Sequence, residues 1–236
     1  MRVTVVYDNF AEKGFRSGWG FSCLVDKRVL FDTGEAAEPL FYNLHQLDFD
    51  INRIQAVVIS HDHWDHTGGL EELLKIRTGL MIYSCPGFSQ SFKEKVNQLE
   101  GRLMESDNFQ EIDDKISVTG EIAGEYKGSF MPEQALIVKT ENGISVFVGC
   151  SHPGIIHMVQ KVKEKFPQQP IKTVLGGFHL MNKDKSEVQS IVQSMQDMEV
   201  ENVGPTHCTG QAAQMEFEKS YGKHYLAISA GRTVEV

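Results

Sequence analysis

Four residues of types that bind metals fall within six positions of one another: His61, His63, Asp65 and His66. They follow residues 56–60, whose branched apolar run predicts a buried strand. Successive side chains of an extended chain alternate between its two sides, so His61 and His63 would lie on the same side. Asp65 and His66 would then lie where the chain turns into a helix. Imidazole and carboxylate groups are suitable ligands for zinc, iron or manganese. The spacing therefore predicts a metal site at the end of this strand.

Three further histidines follow strand-like runs in the same way, at His152, His179 and His207. Each lies near glycine, where the backbone can approach a ligand closely. Because the first cluster is short of ligands for a complete site, we expect His152 and His207 to join it. We expect His179 to have a role in the active site.

The elements that must position these residues alternate between short β-rich runs and helical stretches. The patterns predict strands at residues 3–7, 21–25, 28–31, 56–60, 80–83, 135–139, 144–148, 173–175, 202–203 and 225–229. They predict helices at residues 38–47, 69–76, 154–165, 185–198 and 212–220. Two series of strands and helices indicate two sheets packed face to face with helices outside, in one domain spanning residues 1–236.

The middle of the chain, at residues 84–133, is polar and less regular, and we expect it to carry the loops and the helix that cover an active site. Its glycine-rich part, residues 120–128, is a candidate lid or hairpin. Residues 141–143 contain Asn-Gly, a strong signal for a tight turn between two strands.

Composition excludes several classes of protein. The net charge of −9 argues against a general nucleic-acid surface, which requires a basic patch. No apolar run approaches the ~20 residues of a membrane span, and the first residues predict a strand rather than a signal peptide. We therefore expect a cytoplasmic protein that binds neither nucleic acid nor membrane, with a small molecule as its partner.

The four cysteines are widely spaced and form no CxxC pair, so we expect no disulfide framework. Cys150 and Cys208 adjoin two of the candidate ligands. We interpret both as small buried apolar residues beneath the site. The alternative is a redox-sensitive or metal-binding thiol.

The pattern His61-x-His63-x-Asp65-His66 resembles the signature of the metallo-β-lactamase superfamily, and Asp32-Thr33-Gly34 resembles its first motif. The segments at residues 149–154, 176–179 and 205–210 are similar to a narrower branch of small stand-alone hydrolases. That branch is related to the dihydropterin–ribofuranosylaminobenzene phosphate synthases of the methanopterin pathway. The resemblance spans the chain from residue 3 to about residue 228.

The resemblance implies an α/β fold, a four-layer αββα sandwich of two mixed sheets, with one or two divalent metal ions between the sheets. Zinc is the first choice, and iron or manganese suit the same ligands. By motif, the first metal would be held by His61, His63 and His152. The second metal would be held by Asp65, His66 and His207. Asp32 would contact one of these ligands on the side away from the metal and so orient it.

The chain departs from the family pattern at two places. The superfamily usually has a bridging aspartate in its fourth motif, whereas His179 stands at the end of that strand here. Since a neutral imidazole has one free lone pair, it cannot bridge two metals, so His179 would bind one metal or act on substrate. Relatives in the branch often carry Glu-His-Gly where this chain has Gly18-Trp19-Gly20, so a direct transfer of their substrate is not expected.

The leading hypothesis is a metal-dependent hydrolase that uses a metal-bound hydroxide. Asp32 or Asp65 would orient the hydroxide, and His179 would donate a proton or stabilise the oxyanion. Without a bridging carboxylate the centre would keep extra positive charge, which favours a small anionic substrate bearing phosphate or carboxylate. The alternative is a metal-binding sensor, or a redox protein with a di-iron site, on the same fold and without hydrolytic turnover.

Overall fold

The computed structural model describes residues 1–236, and its larger sheet has seven strands. In chain order these strands are β1 (Arg2–Tyr7), β2 (Ser22–Val25), β3 (Val29–Phe31), β4 (Ala56–Val58), β5 (Met81–Ser84), β6 (Arg102–Glu105) and, at the C-terminus, β15 (Thr233–Glu235). Across the sheet the order is β15-β1-β2-β3-β4-β5-β6. The strands from β15 to β3 pair antiparallel, and those from β3 to β6 pair parallel.

The second sheet has six strands and is also mixed. Its strands are β7 (Gln110–Glu111), β8 (Ile116–Val118), β11 (Leu136–Thr140), β12 (Gly143–Val148), β13 (Ile171–Gly177) and β14 (Asn202–Thr206), in the order β14-β13-β12-β11-β8-β7. The strands β12, β13 and β14 are parallel, with Val148 opposite Gly176 and Gly177 opposite Thr206. A separate two-stranded hairpin consists of β9 (Glu125–Tyr126) and β10 (Ser129–Phe130).

Seven α-helices accompany the sheets. They are α1 (Ala37–Gln46), α2 (Trp64–Thr67), α3 (Leu70–Ile76), α4 (Gln90–Gln98), α5 (Ile155–Lys165), α6 (Lys185–Asp197) and α7 (Gln211–Tyr221). Three short 3₁₀ helices lie at Ile51–Arg53, His207–Thr209 and Gly222–His224. No helix is long and apolar enough to cross a membrane.

Three separate apolar clusters define four layers. Successive residues of a strand point to opposite faces, so Leu30 packs in the cluster with α1 and α3 while Phe31 packs in the cluster between the sheets. In the second sheet, Phe147 and Leu175 join the cluster between the sheets. Val146 belongs to the third cluster, together with residues of α5, α6 and α7. The predicted αββα sandwich of two mixed sheets is therefore confirmed.

Most predicted elements are found within a few residues of their predicted bounds, including the hairpin across residues 141–143. The strand predicted at residues 225–229 is wrong. That segment makes a single bridge between Tyr225 and Val203, and the last strand is β15 instead. β15 pairs with β1 over three positions, so a long-range partner decided the location of the strand.

Candidate metal centre

Loops at the carboxyl ends of strands from both sheets converge on one site. β4 leads into the loop with His61 and His63, and β12 leads into the loop with His152. β13 and β14 end just before His179 and His207. Because the two sheets pack face to face, the loops that follow these strands meet at one edge of the sandwich. The candidate site therefore lies between the sheets at that edge.

The first group of histidines consists of His61, His63 and His152. Their ring centroids are 4.8 Å apart for His61 and His63, 4.6 Å for His61 and His152, and 4.9 Å for His63 and His152. His61 is fully buried, and its Nε2 has no hydrogen-bond partner. Burial, and then the nearby His66, keep the pKa of His61 well below its ordinary value. The imidazole is therefore neutral at pH 7 and has a free lone pair for a metal.

The second group contains Asp65, His66 and His207, whose donor atoms lie within 4.8 Å of one another together with the sulfur of Cys150. Asp65 Oδ2 is 3.3 Å from His207 Nε2 and 3.9 Å from His66 Nε2. His207 is buried, and its Nε2 has no hydrogen-bond partner. The structure thus brings together all six residues for which the sequence predicted metal binding by motif, in two neighbouring groups.

Asp32 lies behind the second group and is fully buried. Its Oδ2 is 2.7 Å from His66 Nδ1 and accepts a hydrogen bond from Ser60 Oγ, while its Oδ1 accepts from Ser60 N. Burial alone would lower the pKa of His66, but the Asp32 carboxylate raises it to about 9. Asp32 therefore fixes the orientation of the His66 ring, which is the role expected of it from behind a ligand.

Glu133 is a functional residue that the sequence did not reveal. Its buried carboxylate accepts hydrogen bonds from the four consecutive backbone N–H groups of residues 149–152, and it lies 3.2 Å from His152 Nδ1. Despite burial, the contact with His152 and these N–H groups keep the pKa of Glu133 below its ordinary value. Glu133 positions His152 as Asp32 positions His66.

His207 is held from the other side by the segment after β1. Asn9 Oδ1 is 3.1 Å from His207 Nδ1, and Asn9 Nδ2 donates to the His207 carbonyl at 3.3 Å. The neighbouring Asp8 accepts a hydrogen bond from the Thr206 hydroxyl at 2.6 Å. Trp19, within the stretch that departs from the family pattern, has its ring 4.9 Å from that of His207.

Cys150 lies between the two groups. Its sulfur is 3.4 Å from His66 Nε2, and it shares one donor group with Asp65, His66 and His207 and another with His61 and His152. The side chain is nearly inaccessible to solvent, as the sequence led us to expect. Its central position between two sets of ligands was not expected.

His179 lies in a third donor group, with Cys150 and Cys208, and not in the groups that contain His61, His63 or Asp65. Its ring is 4.8 Å from that of His152, and its Nδ1 has no hydrogen-bond partner. The contact with Cys208 raises the pKa of His179 above its ordinary value. His179 is thus beside the centre, whereas Cys150 and Asp65 each share donor groups with histidines of both groups.

The hairpin of β9 and β10 reaches the same site, close to the residues where a lid or hairpin was predicted. Tyr126 of this hairpin has its ring 4.9 Å from His63, 5.2 Å from His152 and 5.7 Å from His179. It therefore packs against one side of the first group of histidines. No local pattern distinguishes this tyrosine from the polar residues of the middle region.

Several residues at the centre have a backbone conformation that is unusual for residues other than glycine. The φ angles of Asp32, Ser151, His179 and His207 are 55°, 62°, 53° and 51°. Each of these residues lies within a few positions after the end of a strand. Residues other than glycine adopt this left-handed backbone conformation at a cost of about 1–2 kcal/mol per residue. Such conformations are found more often at functional sites than elsewhere in proteins.

The residues present fit a metal centre. His207 Nε2 lies 3.3 Å from Asp65 Oδ2, another candidate metal ligand. Neither this buried nitrogen nor the buried His61 Nε2 makes a hydrogen bond of normal geometry, although buried polar atoms are almost always hydrogen-bonded. Each lies among nitrogen, oxygen and sulfur atoms of types that bind divalent metals. A metal ion would provide the missing partner of each nitrogen.

Comparison with known proteins identifies the family. The model of the metallo-β-lactamase superfamily matches residues 23–207, which is more than half of the chain. The chain belongs to the metallo-β-lactamase superfamily. The resemblance stated from the motifs is thereby confirmed, and the matched residues include the six motif ligands of both groups.

Similar superfamily proteins cover nearly the whole chain. One relative is 7,8-dihydropterin-6-methyl-4-(beta-D-ribofuranosyl)-aminobenzene-5'-phosphate synthase of Methanocaldococcus jannaschii, 29% identical over 94% of this chain and 91% of that protein. The crystal structure of Tm1679, a metal-dependent hydrolase of the β-lactamase superfamily, has 30% identity and a TM-score of 0.84, over 100% of this chain and 99% of that one. The metallo-β-lactamase fold protein YhfI of Bacillus subtilis, at 14% identity, has a TM-score of 0.71 over 99% of each chain and supports the fold alone.

Proposed function

We propose that this chain is a metal-dependent hydrolase that acts on a small anionic substrate. The observation that carries the proposal is a pair of buried nitrogens, His61 Nε2 and His207 Nε2, which make no hydrogen bond of normal geometry and each lie within a group of metal-binding donor atoms. A purely structural zinc site is closed by four protein ligands, whereas two adjoining groups of three motif ligands leave positions for water or substrate. The similarity to Tm1679, named a metal-dependent hydrolase, agrees with this proposal.

In this proposal His61, His63 and His152 hold the first divalent ion, and Asp65, His66 and His207 hold the second. Zinc is the metal we favour, because imidazole with carboxylate is its usual ligand set in catalytic sites. Divalent metals of this kind lower the pKa of a coordinated water to about 7 and polarise the group under attack.

The other residues have supporting roles. Asp32 holds the His66 ring so that Nε2 faces the centre, and Glu133 does the same for His152. Asp65 is the carboxylate that could orient an attacking water, because it is the only carboxylate among the donor groups. His179, whose Nδ1 has no partner, is positioned beside the centre to donate a proton to a leaving group or to stabilise an oxyanion.

Charge supports an anionic substrate. Two divalent ions would bring four positive charges to a region where Asp65 is the one carboxylate among the ligands. In a cleft of reduced dielectric, such excess positive charge attracts phosphate and carboxylate groups strongly. The similar protein of M. jannaschii is named for a product that carries a phosphate, which agrees with this substrate class.

A second candidate is group transfer or condensation at the same centre rather than hydrolysis. It is favoured by one observation, that the M. jannaschii relative is named a synthase. The two candidates share the metal ligands and differ in the acceptor, which is water for a hydrolase and a second organic substrate for a synthase. Turnover with water as the only acceptor distinguishes them.

The test combines metal analysis with a screen of activity. The protein, freed of metal by a chelator and reconstituted with zinc, is assayed against phosphomonoesters, phosphodiesters, lactones and thioesters. We expect His63→Ala to lose most of its bound metal and its turnover to fall by more than about 100-fold, since even residues behind the ligands contribute 10–100-fold. The control is His157→Ala, because His157 lies exposed on α5. Full metal content in His63→Ala would contradict the proposal.

A further inference from the structure

We propose that the thiolate of Cys150 bridges the two metal ions and is a ligand common to both groups. The inference rests on the proposed metal centre and adds to it a sulfur ligand that the motif did not assign. It places Cys150, and not His179, in the position where the superfamily usually has a bridging aspartate.

The position of the sulfur is the first argument. Cys150 Sγ lies within 4.8 Å of the donor atoms of Asp65, His66 and His207, and within the same distance of those of His61 and His152. Ligands around a tetrahedral zinc, at metal–ligand distances of 2.0–2.3 Å, are roughly 3.3–3.8 Å from one another. The 3.4 Å between Cys150 Sγ and His66 Nε2 falls within that range. Cys150 and Asp65 are the two residues that share donor groups with histidines of both metal sites, and the motif already assigns Asp65 to the second metal.

The second argument starts from the histidine nitrogens. His61 Nε2 and His207 Nε2, which make no hydrogen bond of normal geometry, belong to different groups, and Cys150 and Asp65 each share a group with both. A metal ion that satisfied either nitrogen would therefore have the same sulfur within its reach. The Cys150 backbone N–H is fixed by a hydrogen bond of 2.9 Å to Glu133, which limits the positions that the side chain can take.

Cys208 provides an internal contrast. It is also buried and its sulfur is close to that of Cys150, but its donor group contains only Cys150 and His179. Its Sγ is 3.6 Å from the Cys150 carbonyl oxygen. Cys208 thus lies behind Cys150, away from the six motif ligands.

The chemistry of sulfur suits a bridging position. When metal binds, the S–H bond of Cys150 breaks, bonds from sulfur to the metals form, and the proton leaves to the solvent. A thiolate has several lone pairs and can bind two metals at once, whereas a neutral imidazole has one. Thiolate is a soft ligand, so a centre of this composition selects zinc, iron or cobalt over magnesium and calcium. It also removes one positive charge from the centre, which then attracts anions less strongly.

The experiment uses cobalt as a spectroscopic probe. Metal-free protein is titrated with Co²⁺, and the near-ultraviolet region is monitored for the sulfur-to-cobalt charge-transfer band while the bound metal is counted. We expect the band in the native protein and in Cys208→Ser. We expect its loss in Cys150→Ser and in Cys150→Asp, with two cobalt ions still bound to Cys150→Asp because a carboxylate can also bridge.

A second measurement does not depend on any variant being folded. X-ray absorption of the unaltered zinc protein should show a sulfur neighbour at about 2.3 Å from zinc. Metal bound at full content with neither a charge-transfer band nor a sulfur neighbour would overturn the thiolate bridge and leave the proposed hydrolase intact. Loss of the band in Cys208→Ser instead of Cys150→Ser would also overturn it. Failure of the native protein to bind metal would overturn both proposals.

Discussion

Single side chains that contact the candidate histidine ligands determine which ring nitrogen points to the proposed metal centre. His66 can bind metal through Nε2 only if its proton is on Nδ1, and Nδ1 is the atom that contacts Asp32. His152 has the corresponding contact with Glu133, and His207 with Asn9. Each of these three candidate ligands therefore has a partner that favours one tautomer of its ring. At the residue scale, these partners are as important to the centre as the ligands.

Asp32→Asn should weaken metal binding without disturbing the fold. The amide would direct an N–H group toward His66 Nδ1, which favours the ring form that has its proton on Nε2. We expect the affinity for the second metal ion to fall 10–100-fold, the usual effect of losing such a partner. Titration calorimetry with zinc measures the change. Asp62→Asn is the matched control, because Asp62 accepts a hydrogen bond from Ser89 N at the rim of the loop. Equal affinities in the two variants would contradict the role of Asp32.

Asp8 should make the stability of the metal-free protein depend on pH. Burial raises the pKa of Asp8 to about 6 from an ordinary value of 3.8, although the Thr206 hydroxyl and other hydrogen bonds oppose the shift. The folded state thus binds the proton more tightly than the unfolded state does. The resulting stabilisation is fully present below about pH 4 and is lost as the pH rises through 6.

The measurement is urea unfolding of native protein and Asp8→Asn between pH 4 and 7.5, in the presence of chelator. A shift of this size corresponds to roughly 3 kcal/mol. We therefore expect the free energy of unfolding of Asp8→Asn, relative to the native protein, to rise by up to about 3 kcal/mol across this range. A difference that stays constant with pH would show that Asp8 does not titrate there.

At the scale of elements, the loop after β12 depends on one residue from another part of the chain. The loop at residues 149–152 has four backbone N–H groups that point to the carboxylate of Glu133, which precedes β11. β11 and β12 form the hairpin that was predicted from the Asn-Gly turn, and this pairing brings Glu133 next to the loop. The local turn signal and the candidate ligand His152 are thus connected through a single hairpin.

Glu133→Ala should destabilise both the loop and the metal site. It would leave four backbone N–H groups without an acceptor, each at a cost of about 1–3 kcal/mol when buried. We expect the free energy of unfolding to fall by at least about 3 kcal/mol, together with loss of the first metal ion. Denaturant unfolding and metal analysis measure these effects. Glu125→Ala, which changes an exposed residue of β9, is the control and should behave as native. A stability equal to that of the control would contradict the role of Glu133.

Local patterns predicted most of the helices and the strands outside the middle region, but not the five strands β6 to β10. Histidines just after strand ends could be expected to converge, since such ends meet at one edge. Glu133 and Tyr126 could not be selected, because their roles depend on long-range packing that has no local pattern. The last strand was misplaced for the same reason, since β15 is determined by its pairing with β1.

At the scale of the whole molecule, the candidate ligands come from both sheets. His61 and Asp65 follow β4 of the larger sheet, whereas His152 and His207 follow strands of the smaller one. The sheets are joined by the apolar cluster between them and by the hydrogen bond from the Thr206 hydroxyl to Asp8. Metal bound by both sets of loops would therefore link the two halves of the sandwich.

Metal binding should raise the thermal stability of the whole chain. A ligand at 100 times its dissociation constant stabilises the folded state by about 2.7 kcal/mol. For a chain of this length that corresponds to a Tm about 5–10 °C higher. Calorimetry with zinc and with chelator measures the difference. His152→Ala should show a smaller shift, and His157→Ala the full shift. A Tm unaffected by zinc would contradict a metal that joins the sheets.

The left-handed backbone at Asp32, Ser151, His179 and His207 has a consequence for evolution. Each of these residues costs the fold about 1–2 kcal/mol that a relaxed turn would not, so under the proposed function the chain would lose stability in exchange for activity at these four positions. A descendant released from selection for turnover would gain robustness most readily there, through glycine or through shorter turns. The same substitutions would make this sandwich a tolerant scaffold for grafting an unrelated binding loop.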